Sequence, residues 1–382
     1  MNDFPQWVAG EICFRLEDEL DGDNQCRTFE KARCSSYFKA GLDGIQRLGA
    51  FSKFKHLWTF LPLAQSYSYN ERGFLSDNVT FHIIPKLQYL RVLPLKGYCL
   101  VNLPDSIGDL KLLRYLDLSH TNIIRLPESI TGIYYLQTLL LECCNDVGEL
   151  PTGMKNLTNL RHLNNSSQYS LKGMPPDLGK LTNLQTLPNF LVGKDSGFSG
   201  VGELGSLLHL RGTLRIARLE NVNEAKDAAM ANLAGKNGID ALQLDWYKGE
   251  ITDIDVLEML QPPRMLKELT LIRYGGLKFP SWMGNPSLAN MELIRLEDCK
   301  GCRFLPPLGQ LVSLKELIIK RMSGVESIGS VFYGEGCLNP FPLLETISFE
   351  NMENWKDWFP VETTNGMEGF PRLKELVVRR CW

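Results

Sequence analysis

This chain of 382 residues is poor in the local patterns by which enzymes, membrane proteins and nucleic-acid binders declare themselves. No apolar run approaches the roughly 18 residues of a membrane-spanning helix. Met1 to Gly10 has no basic segment followed by an apolar one, so no secretory signal peptide is read there. Charge of one sign is also lacking: 41 basic residues against 44 acidic ones leave a net charge of −3. That balance excludes a strongly basic nucleic-acid binder and predicts no electrostatic tether to a membrane. No G-x-x-x-x-G-K-[ST] occurs, so no phosphate-cradling loop lies within these residues. Gly193, Gly197, Gly200, Gly202 and Gly205 do not stand in G-x-G-x-x-G order after a strand and read as a loop. No Ser/His/Asp or Cys/His set recurs among His56, His82, His120, His162 and His209. Cys299-x-x-Cys302 is only half of a tetrahedral zinc site, because no second C-x-x-C or H-x-x-x-H accompanies it. The expectation is a protein that is not an enzyme and holds neither cofactor nor metal. Its ten cysteines form no paired clusters near the ends, which suggests a reducing compartment. Sequons at Asn78, Asn156, Asn164 and Asn165 carry little weight without a secretion signal.

What is present is a period. Leu87-x-x-Leu90-x-x-Leu93-x-Leu95, Leu110-x-x-Leu113-x-x-Leu116-x-Leu118 and Ile133-x-x-Leu136-x-x-Leu139-x-Leu141 repeat one phrase every 23 residues, and Leu160 and Leu184 continue it at steps of 24. This is the leucine-rich-repeat signature, one strand and a short return segment per coil. The predicted fold is therefore α/β: a leucine-rich-repeat solenoid, curved as a horseshoe, with a short parallel strand from each coil on the concave face. The strand pairs read as Leu93/Leu95, Leu116/Leu118, Leu139/Leu141, Leu163/Asn165, a looser one at Leu187, then Leu214/Ile216, Leu242/Leu244, Leu269/Leu271, Ile294/Leu296, Leu317/Ile319, Ile347/Phe349 and Leu376/Val378. With an opening coil near Leu57 they make about 13 turns of solenoid.

Strand side chains alternate, so the paired aliphatics point inward and the residues beside them face out. Asn165 stands where an inward aliphatic belongs, and an irregular strand is expected there. Three residues past each pair lie Thr121, Cys144, Cys299 and Cys381, small groups suited to satisfying buried backbone inside the turn. Leu-Pro or its equivalent recurs on the return path, as at Pro104, Pro127, Pro151 and Pro175, followed by a further inward anchor at Ile107, Ile130, Met154 and Leu178. Glu224 to Leu233 reads as a helix with Ala225, Ala228, Ala229 and Leu233 on its apolar side. Asp253 and Asp255 read as caps of a short helix beginning near Val256. Upstream, strands are expected near Ile12–Leu16 and Cys34–Phe38. The acidic cluster Glu17, Asp18, Glu19, Asp21 and Asp23 is expected to be a solvated turn.

A non-catalytic solenoid works through its concave surface. The candidate partner-binding residues are those flanking the strand leucines. Tyr115, Asp117, Arg161 and His162 come first; Arg215, Asp245, Trp246, Lys267 and Glu268 follow. Arg295, Glu297, Lys315, Glu316, Lys320, Glu345 and Lys374 complete the set. Exposed tryptophan, tyrosine and arginine are the types that most often dominate protein–protein binding energy.

Longer phrases are recognisable as well. KLLRYLDLSHTNIIRLPESI (111–130), LTNLQTLPNFLVGK (181–194), LHLRGTLRIARLENVNEAKDAAMANL (208–233), YGGLKFPSWMG (274–284), CKGCRFLPPLGQLVSLKELIIKRMSGVESIGSVFYG (299–334) and FPLLETISFENMENWKDW (341–358) resemble plant intracellular immune receptors. The family is the nucleotide-binding leucine-rich-repeat disease resistance proteins of the coiled-coil class, and the resemblance covers nearly the whole chain. It implies a cytoplasmic or nuclear domain that recognises a pathogen effector, or a host protein altered by one, and restrains an adjoining nucleotide-binding module. ADP or ATP would belong to that module, which, like the coiled coil, is missing here. Residues 1–50 are then expected to be a remnant of the linker or of the end of that module. The solenoid would run over 51–382, with an irregular, helix-containing stretch at 191–240 and no visible C-terminal cap; both ends read as cut. Two other readings stand beside this one. A substrate adaptor of a ubiquitin ligase would need a helical F-box-like module before the repeats. An extracellular receptor ectodomain would carry a signal peptide, flanking cysteine pairs and G-x-[IL]-P return segments.

Overall fold

The structure is a computed structural model that describes residues 12–16, 30–63, 73–247, 254–334, 336–359 and 369–381. The acidic cluster Glu17 to Asp23 and Asp253 lie outside the described residues. The chain divides into two compact units, Met1–Thr186 and Leu187–Trp382. The first is built on a seven-stranded sheet of β1 (Cys13–Leu16), β2 (Cys34–Phe38), β3 (Thr59–Leu63), β4 (Val92–Pro94), β5 (Tyr115–Asp117), β6 (Thr138–Leu140) and β7 (His162–Asn164). The second is built on an eight-stranded sheet of β8 (Asn189–Leu191), β9 (Arg211–Ala217), β10 (Gly238–Asp245), β11 (Glu268–Ile272), β12 (Leu293–Glu297), β13 (Glu316–Lys320), β14 (Thr346–Glu350) and β15 (Glu375–Arg379). Within each sheet, consecutive strands pair in parallel from one coil to the next, as a leucine-rich-repeat solenoid requires.

Register follows the leucines. Leu93 pairs with Leu116, Leu116 with Leu139, and Leu139 with Leu163. In the second unit Leu242, Leu269, Ile294, Leu317 and Ile347 form a like column. All are buried. Each is stabilised by about 1.5–3 kcal/mol on leaving water, and only the neighbouring coils supply the cover.

After the second inward side chain the backbone turns out of the strand through a left-handed residue. Gly97, His120, Cys143 and Ser167 occupy this position in the first unit; Arg218, Arg273, Asp298, Arg321, Asn351 and Arg380 do so in the second. For a non-glycine residue this conformation costs roughly 1–2 kcal/mol. One position further on, a polar group is used as expected. Thr121 Oγ1 donates to the Leu118 carbonyl at 2.7 Å, and Cys144 Sγ reaches the same carbonyl at 3.0 Å. Gln168 Nε2 donates to the Leu141 carbonyl, Cys299 Sγ to that of Leu271 and Cys381 Sγ to that of Phe349. On the return path Pro104, Pro127 and Pro151 each precede a 3₁₀ helix, where a missing amide costs no bond, and Ile107, Ile130, Met154 and Leu178 are buried as the second anchor. Successive 3₁₀ turns lie so close that a Cβ on Gly108 would meet the Ser129 carbonyl oxygen at 2.5 Å.

Several expectations are corrected. The sheet does not begin at residue 51: β1 and β2 are in ladder with β3. Both strands lie where they were expected, but the inward positions of β2 carry Ser35 and Tyr37 instead of leucine, so the leucine spacing did not join them to the ladder. Ser35 Oγ donates to the Thr59 carbonyl, and Tyr37 is held at its hydroxyl by Tyr98, itself donating to the buried Asp43. Asn165 does not distort its coil. β7 keeps register, Ser167 takes the left-handed turn on schedule, and the buried Asn165 reaches Met174 Sδ at 3.7 Å. At Leu187 the register does move. Phe190, not Asn189, faces inward opposite Ile216, because Pro188 has no amide to donate to a ladder. The helix expected over 224–233 spans only Ala225–Met230, since Asn232 turns left-handed. Its buried side is Ala228 with Ala231, and Ala229 is exposed. The helix expected near Val256 spans Ile254–Met259, with Asp255 inside its first turn. β15 has a sheet neighbour on one side only among the described residues, and Leu376 and Val378 are 48% and 50% exposed.

Candidate recognition face

Solvent-facing residues of the strands and of the residues just before them form columns one residue wide, and the charge in each column depends on what the next coil contributes. The most telling column lies two residues before the first inward aliphatic. In the first unit it reads Arg33, Trp58, Arg91, Arg114, Gln137, Arg161, Gln185, joined by backbone bonds from Trp58 N to Arg33 O, Arg91 N to Trp58 O, and so on to Gln185 N. The Arg91 guanidinium lies 4.3 Å from the Trp58 ring centroid and that of Arg33 5.9 Å. No carboxylate pairs with these arginines among the described residues.

The equivalent column of the second unit alternates in sign: Asp240, Lys267, Glu292, Lys315, Glu345, Lys374. It closes as three ion pairs, Lys267–Asp240 at 2.9 Å, Lys315–Glu292 at 2.8 Å and Lys374–Glu345 at 2.8 Å. Hydrogen bonding to its partner raises Lys267 above the usual lysine value and lowers Glu292 and Glu345 below the usual glutamate value. Lys320 is paired to Glu350 at 3.1 Å, and Arg321 grips both Glu297 and Asp298, which holds its guanidinium still more firmly protonated. Exposed pairs of this kind, screened by solvent, contribute little to stability. Their main effect is to leave little net charge facing out.

The sequence-predicted partner residues separate accordingly. Trp246 is withdrawn from any partner: it is fully buried, its ring 5.1 Å from that of Tyr274. Its coil has no left-handed residue at this position, so strand alternation carries on past Leu244 and sends the indole inward. Asp245 is buried under Arg215 and Arg273, which both bind its carboxylate. Asp117 is buried too, accepting from Ser119 N at 2.9 Å and from the Tyr115 hydroxyl at 3.4 Å. Burial and that carboxylate push the Tyr115 phenol up to about 12. His162 Nδ1 lies 3.0 Å from Thr186 Oγ1. Arg161, Glu268, Arg295 and Glu316 make no side-chain bond among the described residues and are the members still available. Arg33, Trp58 and Arg91 were missed; their signal is their shared place before the leucine motif. The half-zinc motif resolves into core: Cys299 and Cys302 are buried, each Sγ reaches a backbone carbonyl, and burial pushes the Cys299 thiol up to about 12. A small polar pocket of about 270 Å³ lies among Lys300, Arg321, Ser323, Asn351 and Glu353. No helix among the described residues is long and apolar enough to cross a membrane.

Comparison with known proteins agrees with this geometry. Residues 201–322 match the family model of R13L1/DRL21 leucine-rich repeats. The whole chain is 38% identical to a putative disease resistance protein of Arabidopsis thaliana, covering 27% of it. It is 37% identical to putative disease resistance RPP13-like protein 1 of the same plant, covering 37% of that one. Disease resistance protein RGA2 of Solanum bulbocastanum is 34% identical over 83% of this chain and 33% of its own length. The chain thus spans roughly a quarter to two-fifths of these relatives. Among solved structures an internalin of Listeria monocytogenes superposes with a TM-score of 0.52 over 89% of this chain and 84% of that one, at 14% identity, a likeness of fold alone. By its repeat type and by homology over its full length, this chain belongs with the leucine-rich-repeat regions of plant disease resistance proteins.

Proposed function

We propose that this chain is the protein-recognition and restraining part of a plant innate-immunity receptor. It is non-enzymatic and works in the cytoplasm or nucleus. Its partners are a pathogen effector, or a host protein modified by one, and the nucleotide-binding module of the same receptor. The observation that carries the reading is the contrast between columns. Charges on the second unit's column are neutralised by neighbours, whereas Arg33, Arg91, Arg114 and Arg161 project cations with no carboxylate partner among the described residues. A row of such cations is suited to steering and orienting an acidic protein surface. Arg295, Glu268 and Glu316 make no side-chain bond among the described residues and would supply charge to an effector contact on the second unit.

The test is co-precipitation of this chain with a nucleotide-binding module supplied as a separate polypeptide. Charge reversal by Arg91→Glu with Arg114→Glu is expected to weaken association at least ten-fold, while Lys267→Glu with Lys374→Glu changes it little. Association indifferent to the first pair removes the restraining role.

A further inference from the structure

We infer that His120, Glu142 and Cys143 form a binding site for a divalent cation of the zinc type, bridging two consecutive coils of the first unit. The sequence reading named no metal site, because these residues share no recognisable spacing motif. The ladder brings them together. His120 and Cys143 occupy the same left-handed turn position of adjacent coils, with φ of 59° and 56°. Their backbones are joined by the bond from His120 N to the Glu142 carbonyl at 2.7 Å, and Cys143 N is held in turn by the Ser166 carbonyl at 3.1 Å. One ligand atom from each of the three side chains lies within 4.8 Å of the others. All three side chains are half-buried and make no hydrogen bond or ion pair among the described residues, so no described partner competes for their lone pairs.

The donor set selects the ion. One thiolate, one imidazole and one carboxylate suit a borderline cation such as Zn²⁺, whereas calcium and magnesium prefer oxygen alone. Metal–ligand bonds of about 2.0–2.3 Å at tetrahedral angles put ligand atoms about 3.3–3.8 Å apart. The three groups therefore need to close by little more than about 1 Å, which side-chain rotation supplies without moving the ladder. Three protein ligands leave a fourth position for water. The neighbouring turn positions explain why the site is local. Gly97 and Ser167 flank it with no strong donor, and in the second unit Arg218, Arg273, Arg321 and Arg380 place cations at the equivalent point. The other cysteines of this ladder, Cys144, Cys299 and Cys381, are spent on backbone carbonyls; Cys143 is not.

The whole chain, stripped with chelator under reducing conditions, is titrated with Zn²⁺ alone and separately with Co²⁺. The expected result is one tight equivalent, a cobalt–thiolate charge-transfer band, and a thermal midpoint that rises with Zn²⁺. Cys143→Ser is expected to abolish the band. His120→Asn and Glu142→Gln are expected to weaken affinity at least ten-fold. Because the turn is left-handed, Cys143→Gly relaxes the backbone and serves as a folded second variant with the same expected loss. Absence of saturable binding, or a band and affinity unchanged in Cys143→Ser and Cys143→Gly, overturns the site.

Discussion

At the scale of single residues, the most consequential side chain outside the outward columns is Lys236. It is fully buried, and its ammonium donates to the carbonyls of Leu204 and Leu207 at the end of the 3₁₀ helix Val201–Ser206. Burial brings it down to about 8 from an ordinary 10.5. Below pH 8 the folded protein therefore holds a charged lysine in a dry place, at a cost. Between 8 and 10.5 the unfolded chain binds a proton that the native chain has released, so stability rises with pH across that window and is complete above it. Denaturant unfolding of wild type and Lys236→Met at pH 7 and pH 9.5 is expected to show wild type gaining, relative to the variant, on the order of 1–3 kcal/mol. An unchanged gap would mean the lysine titrates normally in the fold. Asp245 teaches a related lesson: a carboxylate gripped by Arg215 and Arg273 is part of the scaffold, whatever its place in the strand suggests.

At the scale of elements, coils are joined by more than aliphatic burial. The Leu118 carbonyl accepts from Thr121 in its own coil and from Cys144 in the next. The Thr121 amide also reaches this carbonyl, at 3.3 Å, so losing one side-chain donor leaves it well satisfied and losing both leaves it only that longer backbone bond. Thr121→Val and Cys144→Ala are each expected to destabilise by about 1 kcal/mol or less, and the double variant by about 1 kcal/mol more than their sum, because only the Thr121 amide then reaches the carbonyl. Strict additivity in a thermal or urea double-mutant cycle would show that the shared acceptor is unimportant. Asn165 shows how far this scaffolding reaches, since a polar side chain at an inward position is absorbed without loss of strand register.

At the scale of the whole molecule, the two units differ in how they dispose of charge, although the net charge is only −3. An interface built on the arginines of the first unit is electrostatic and faces solvent, so it is screened over about 8–10 Å at ordinary ionic strength. Association with a separately supplied nucleotide-binding module is expected to fall steeply as salt is raised from about 0.05 M to about 0.5 M. The fall should be much shallower for Arg91→Gln with Arg114→Gln. Equal salt dependence in the two proteins would assign the contact to another surface. The disease resistance homology extends over the full chain while the chain covers only part of each relative, so this behaviour is argued for the repeat region itself.

The amino-acid sequence alone determined the repeat period, the inward aliphatics, the Leu-Pro return path and the polar turn position, because burial demands the same residue types at the same place in every coil. Leu116, Ile130 and Cys144 could be assigned from spacing without knowing their neighbours. Tertiary structure decided the rest. The strands at Cys13 and Cys34 were legible as strands, but that they continue the ladder of the repeats showed only through their partners, since Ser35 and Tyr37 carry no leucine signal. Trp246 turned inward because one coil lacks the usual left-handed turn. Whether an outward charge is free or paired, as with Arg114 against Lys315, depends on a residue a full coil away. Stacking, which local sequence does not display, is what makes those residues neighbours.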